Sequence, residues 1–178
     1  MLEATLATAR DVMSRDVTIV TPDTPLRTLL RIMSERRISG LPVVDQAGRI
    51  VGMVSASDLF RWRDGLEAQQ EHWLDQLGEG LDAPPAFVDW ILAQHETVRA
   101  AMTTGEIATV TEDTPAREIA ALMTRRGIQR VPVLRDERIV GIVARSDLIG
   151  LLARTLDARA AEQAAAEAAQ LVPAADRA

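Results

Sequence analysis

TIVTPDTPLRTLLRIMSERRISGLPVVD, residues 18–45, is answered further along the chain by ATVTEDTPAREIAALMTRRGIQRVPVLR, residues 108–135. These stretches align at an offset of 90, and the next pair, RIVGMVSASDL from Arg49 and RIVGIVARSDL from Arg138, aligns at 89. The missing residue falls between DQAG and DE, in a polar segment where a turn tolerates a deletion and a strand does not. Pro25/Pro115, Pro42/Pro132, Gly52/Gly141 and Asp58/Asp147 recur in order, so the chain is built on an internal duplication.

Each copy predicts one supersecondary unit. Thr24 and Thr114 are expected N-caps, with Pro25 and Pro115 at the first helical position, where a missing N–H costs nothing. Leu26, Leu29, Leu30 and Met33 then form an apolar stripe at helical spacing, repeated more weakly by Ala116, Ile119, Ala120 and Met123, and the methionines belong to the core. LPVVD and VPVLR are β-branched runs, each joined through a short polar turn to RIVGMVS or RIVGIVA, which fits a hairpin. A further helix is expected from Ser57 or Ser146. The expected order is strand, helix, strand, strand, helix, led by TIV or ATV, and the fold class is α/β (α+β).

Composition excludes several alternatives. The 178 residues are 47% hydrophobic and 26% charged, as in a globular chain, and carry no cysteine, which removes disulfides, thiol nucleophiles and cysteinyl metal sites. The start, MLEATLATARDVMSRD, has no basic segment leading into an apolar run, and no stretch approaches the ~18 apolar residues of a membrane span. No membrane association is expected, and a cytoplasmic location fits. A net charge of −6 opposes a phosphate backbone, so nucleic acid is not an expected partner.

Residues 9–60 and 97–152 hold the two copies; 61–96 form an insert and 153–178 an Ala-rich tail expected to be a protruding helix. In the insert, Leu66, Trp73, Leu74, Leu77 and Leu81 recur at helical spacing before Pro84-Pro85, and Phe87, Trp90 and Ile91 resume, which predicts a helical hairpin. Trp62, Trp73 and Trp90 are either anchors of a homodimer interface or caps on the chain's own core. His72 and His95, the only histidines, lack metal-ligand spacing, so no metal site is expected.

The sharpest local signal is GMVSASD, Gly52 to Asp58, matched by GIVARSD, Gly141 to Asp147. A strand ends and a helix begins there. Free backbone N–H groups and the positive helix end favour phosphate, small residues let a ligand approach the backbone, and a carboxylate accepts both hydroxyls of a ribose. The structural alternative is that Ser57 and Asp58 cap the helix.

With DVM (Asp11 to Met13), SGLPVVD (Ser39 to Asp45) and GMVSASD in place, the chain resembles a tandem pair of cystathionine-β-synthase (CBS) domains, a Bateman module. The resemblance covers Ala9 to about Phe60 and Thr97 to about Leu152. It implies two repeats packed through their sheets by pseudo-twofold symmetry, with two clefts that take AMP, ADP, ATP, S-adenosylmethionine or related ligands; it does not imply catalysis, and no cofactor is expected. Carried over by position, the ribose aspartates are Asp58 and Asp147. The small hydroxyl residues are Ser55 and Ser57 in copy one but only Ser146 in copy two, where Ala144 departs from the pattern. The family pairs each ribose motif with base contacts from the other repeat, which sets Asp147 and Ser146 with Thr18 and Ile38, and Asp58, Ser55 and Ser57 with Ala108 and Ile128. A phosphate-binding arginine is implied at Arg130, where copy one has Gly40. An enzymatic reading would pair Asp58 with Asp147 as acid and base, but the repeat puts them in equivalent positions with no nucleophile beside them. The remaining alternative is a dimeric scaffold with vacant clefts that presents the insert to a protein target.

Overall fold

Pro42 stands in the middle of a strand and limits the sheet around it. In a computed structural model, which describes residues 7–59, 89, 92–93 and 96–170, Gly40–Val44 (β1) and Ile50–Ser55 (β2) form an antiparallel hairpin. Leu41 lies opposite Val54 and Val43 opposite Gly52. The expected leading strand at Thr18–Val20 pairs with β1 only at Val20. There the Val20 N–H donates to the Pro42 carbonyl and the Val44 N–H donates to the Val20 carbonyl. The next donor on that edge would be the nitrogen of Pro42, which carries no hydrogen, so the ladder stops before Thr18. In the second copy Val110–Thr111 (β3) runs parallel to Arg130–Arg135 (β4), with Val110 opposite Val133, and Pro132 ends the pairing in the same way. Arg138–Ala144 (β5) completes a sheet of order β3-β4-β5.

The helices Leu26–Arg36 (α2) and Ala116–Arg126 (α5) bury Leu26, Leu29 and Met33 in one copy and Ala116, Ile119 and Met123 in the other. Ala120 is exposed, which accounts for the weaker stripe. Both helices begin one residue later than expected, with Pro25 and Pro115 as N-cap residues. Thr24 and Thr114 are not the helix caps: their hydroxyls accept the N–H of Thr21 and Thr111 and close the preceding turn. The deletion between the copies lies in a turn, as the alignment requires. In the longer hairpin Asp45 Oδ1 accepts the N–H groups of Ala47 and Arg49, and Gly48 takes φ +79°. In the shorter one Asp136 and Glu137 form the whole turn, both at positive φ.

Neither compact unit is a contiguous repeat. Residues 18–59, 96–107 and 137–139 belong to one, the first-repeat unit; residues 7–17, 108–136 and 140–170 belong to the other, the second-repeat unit. The short helix Ala9–Val12 (α1), which precedes copy one in the chain, completes copy two: Ala9 N–H donates to Thr114 O, Arg10 N–H to Glu112 O, and Ser14 and Ile142 exchange two hydrogen bonds. Val98–Ala101 (α4), which precedes copy two, completes copy one through Val98 N–H to Thr24 O, Arg99 N–H to Pro22 O and a reciprocal pair between Met53 and Thr103. Accordingly Val98 joins the first core with Val20, Leu26, Leu29, Leu41, Val43 and Val54. Ala9, Val12 and Met13 join the second with Ile119, Met123, Val131, Val133 and Val143.

After β2 the helix Ala56–Leu59 (α3) begins, and after β5 comes Arg145–Gln170 (α6), a single helix of 26 residues that runs without a break into the Ala-rich tail. Its outer face exposes Ile149, Leu152 and Leu156. Among the described residues no helix is long and apolar enough to cross a membrane. The expected helical hairpin of the insert, with Trp62, Trp73, Trp90, His72 and His95, lies outside the described residues.

Candidate functional site

At both strand-to-helix junctions an aspartate three residues into the new helix turns back on the backbone that precedes it. Asp58 Oδ2 accepts the Ser55 N–H at 2.8 Å and the Ser55 hydroxyl at 2.6 Å. Asp147 Oδ2 accepts the Ala144 N–H at 2.7 Å. These bonds close one half of a capping box and place negative charge at the helix start, so the capping alternative is correct as far as it goes. It is Ser55 and Ala144 that stand at the cap position, while Ser57 and Ser146 sit two residues later, both exposed. One oxygen of each carboxylate is fixed by the junction. The other, Oδ1, is left to other donors.

The remaining predicted residues gather around these junctions within each unit. Gly40 is paired with Ser55, and the Ala56 N–H donates to Ser39 O, which holds Ile38 and Gly40 beside Asp58. Thr18, two residues before the Val20 bridge, lies level with Leu41 at the same end of the sheet. In the second-repeat unit the Arg145 N–H donates to Gln129 O, so Ile128 and Arg130 flank the start of α6 near Ser146 and Asp147, and Ala108 lies level with Val131. Arg130 is half-buried, and that burial pulls its pKa below the ordinary guanidinium value, from so high a start that it stays cationic at neutral pH.

The glycines of the motif serve packing. Gly52 and Gly141 are buried. A Cβ on Gly52 would lie 2.8 Å from the Thr103 carbonyl oxygen, and one on Gly141 would strike the Met13 side chain. Both admit the segment that completes the unit.

Two residues that hold polar partners in place escape the sequence reading. Thr103 donates its hydroxyl to Asp58 Oδ1 at 3.0 Å. The signal for it is the upstream extension of the repeat, where Met102-Thr103 aligns with Met13-Ser14. Glu112 is a 5% exposed carboxylate held by Arg135 Nε and, at 3.6 Å, by Arg10 Nε. The hydrogen bond from Arg135 outweighs desolvation and keeps the Glu112 carboxyl below the usual glutamate range. Its counterpart in copy one is Pro22, so no periodic signal marks it.

The family model for the CBS domain matches the chain twice, at residues 9–65 and 98–154. The chain belongs to the CBS-domain family. This CBS pair is 30% identical over 152 residues to an uncharacterised protein of Methanocaldococcus jannaschii, a match spanning 80% of this chain and 89% of that one. It is 33% identical over 144 residues to the 5'-AMP-activated protein kinase subunit gamma-3 of Bos taurus, covering 78% of this chain but only 24% of the subunit. Among solved structures, that of CBSX2 in complex with AMP superposes with a TM-score of 0.61 at 22% identity, over 83% of this chain and 97% of that one. That likeness is one of fold: tandem CBS repeats, mixed α/β.

Proposed function

We propose that this CBS pair is a non-catalytic regulatory module that binds adenosine nucleotides, AMP, ADP, ATP or an S-adenosylmethionine-like ligand, and passes its occupancy to a protein target. The observation that carries the reading is the repeated carboxylate at a strand-to-helix junction. Asp58 and Asp147 are each anchored to the junction through Oδ2, which leaves Oδ1 as the oxygen that can accept from a ligand hydroxyl. In this reading Thr18, Ile38, Ala108 and Ile128 supply base contacts, Ser55, Ser57 and Ser146 supply hydroxyls, the glycine at Gly40 leaves room, and Arg130 meets phosphate. The AMP bound to CBSX2 and the AMP-activated kinase to which the gamma subunit belongs support the ligand class. A cytoplasmic nucleotide pool would be the source.

Calorimetry with AMP tests the reading. Asp58→Ala and Asp147→Ala should each remove one class of sites, weakening it by about 5- to 150-fold, because ribose hydroxyls lose their acceptor on burial. Arg130→Ala should weaken AMP far more than adenosine. Binding that survives both aspartate changes, or no nucleotide bound below millimolar, would leave the scaffold as the better account. The reading includes a homodimer, since α6 exposes Ile149, Leu152 and Leu156 at i, i+3 and i+7, a face that a second copy would cover. A light-scattering mass of 19.4 kDa at micromolar concentration would sink that part.

A further inference from the structure

The two ribose carboxylates proposed above are not equally open. A carboxylate offers about four lone-pair positions. Among the described residues Asp147 uses one, on the Ala144 N–H. Asp58 uses three: Ser55 N–H and hydroxyl on Oδ2, and the Thr103 hydroxyl on Oδ1. Oδ2 is tied to its own junction, so an incoming ligand must use Oδ1, the oxygen that Thr103 already holds. Thr103 is exposed, yet its backbone is fixed by the reciprocal pair with Met53, so its hydroxyl is presented to Asp58 from a rigid segment. The counterpart, Ser14, makes the same backbone pair with Ile142, but no hydrogen bond joins it to Asp147.

We infer that Thr103 is a specificity-determining residue at the Asp58 site, an internal competitor that leaves this carboxylate one position for a ligand hydroxyl where Asp147 offers enough for a vicinal diol. A full diol binds at Asp58 only by displacing the Thr103 hydroxyl. A ligand that donates one hydroxyl is accepted with Thr103 in place. The Asp147 site therefore discriminates ribose from 2′-deoxyribose, and the Asp58 site does so weakly. This rests on the ribose reading of the two aspartates.

The test compares AMP with 2′-deoxy-AMP by calorimetry in the full chain, using Asp147→Ala to isolate the Asp58 site. With Thr103 present the two ligands should bind there within about threefold of each other. Thr103→Val, which keeps the shape and the backbone pair, should raise the preference for AMP to about tenfold, the worth of one hydrogen bond to a charged acceptor. Thr103→Ser, which keeps the hydroxyl, should restore the small ratio. At the Asp147 site, isolated by Asp58→Ala, the tenfold preference should be present from the outset. An unchanged ratio in Thr103→Val, or a Thr103→Ser protein that behaves like the valine variant, overturns the inference while leaving the ribose reading intact. If adding Asp58→Ala to the Asp147→Ala protein leaves AMP binding unaltered, or if no AMP binds to any variant, the ribose reading fails and the inference goes with it.

Discussion

Arg10 pairs with Asp113 at 3.2 Å in the second-repeat unit, and its counterpart Arg99 pairs with Asp23 at 2.8 Å in the first. The backbone bonds that seat these arginines, to Glu112 O and Pro22 O, also match. Beside this shared frame, counterpart positions carry different chemistry: Pro22 for Glu112, Asp45 for Arg135, Gly40 for Arg130, Ser55 for Ala144, Thr103 for Ser14. The second-repeat unit fills the hairpin end of its sheet with Glu112 clasped by arginines. The first leaves a shallow cavity there, lined in part by Pro22, Asp45, Val51, Arg99 and Met102. Duplication has kept the groups that fix the backbone, while the side chains set around that frame have diverged.

The comparison breaks most visibly at the motif glycines. Gly52→Ala drives a methyl group against the Thr103 carbonyl, part of a paired backbone, and should cost about 1–3 kcal/mol as the segment shifts. Gly141→Ala meets the flexible Met13 side chain and should cost less. Thermal melting of the two variants ranks them, and equal losses would mean the two completing segments are held equally loosely. A smaller effect of opposite sign is expected at the hairpins. Glu137→Gly should stabilise the short turn by about 1 kcal/mol, because glycine bears positive φ without strain, and Gly48→Ala should destabilise the long one by a similar amount. Urea midpoints that move in the same direction for both would contradict it.

The last difference appears only in acid. The Glu112 carboxyl is held below its ordinary value by Arg135, with smaller help from Arg10 and Arg15. A depressed carboxylate contributes stability above its unfolded pKa, and that contribution is lost as pH falls through the lower, folded value. Denaturation midpoints of the native chain should therefore drop on the acid limb, and those of Glu112→Gln should drop less. Identical acid limbs would show that the exposed guanidinium groups are too well solvated to matter.

Much of this was legible in the sequence, and each failure has a cause. The duplication, the helix stripes and the hairpins rest on periodicity, which survives folding because it is the cause of burial. The placement of Asp58 and Asp147 at a strand-to-helix junction came from their positions relative to the strands, and Arg130 from the resemblance to CBS domains. Thr24 and Thr114 misled because a threonine before a proline caps a turn as readily as a helix. The leading strand shrank because Pro42 and Pro132 lack an N–H. The exchange of completing segments was hidden because a repeat read along the chain assigns each segment to the copy directly after it. Thr103 was missed for the same reason, since its partner Asp58 lies 45 residues earlier.

That exchange also bears on how the chain is made. Ala9, Val12 and Met13 leave the ribosome before the core they enter, which is built from residues 119–143. At about 5–20 residues per second, the hundred or so residues between them take on the order of 5–20 s to synthesise. For that interval the N-terminal segment has no core to enter, and the first-repeat unit must wait for Val98 to close its own. The segment around Ala9 then docks late, across a loop whose closure entropy only the finished second sheet can offset.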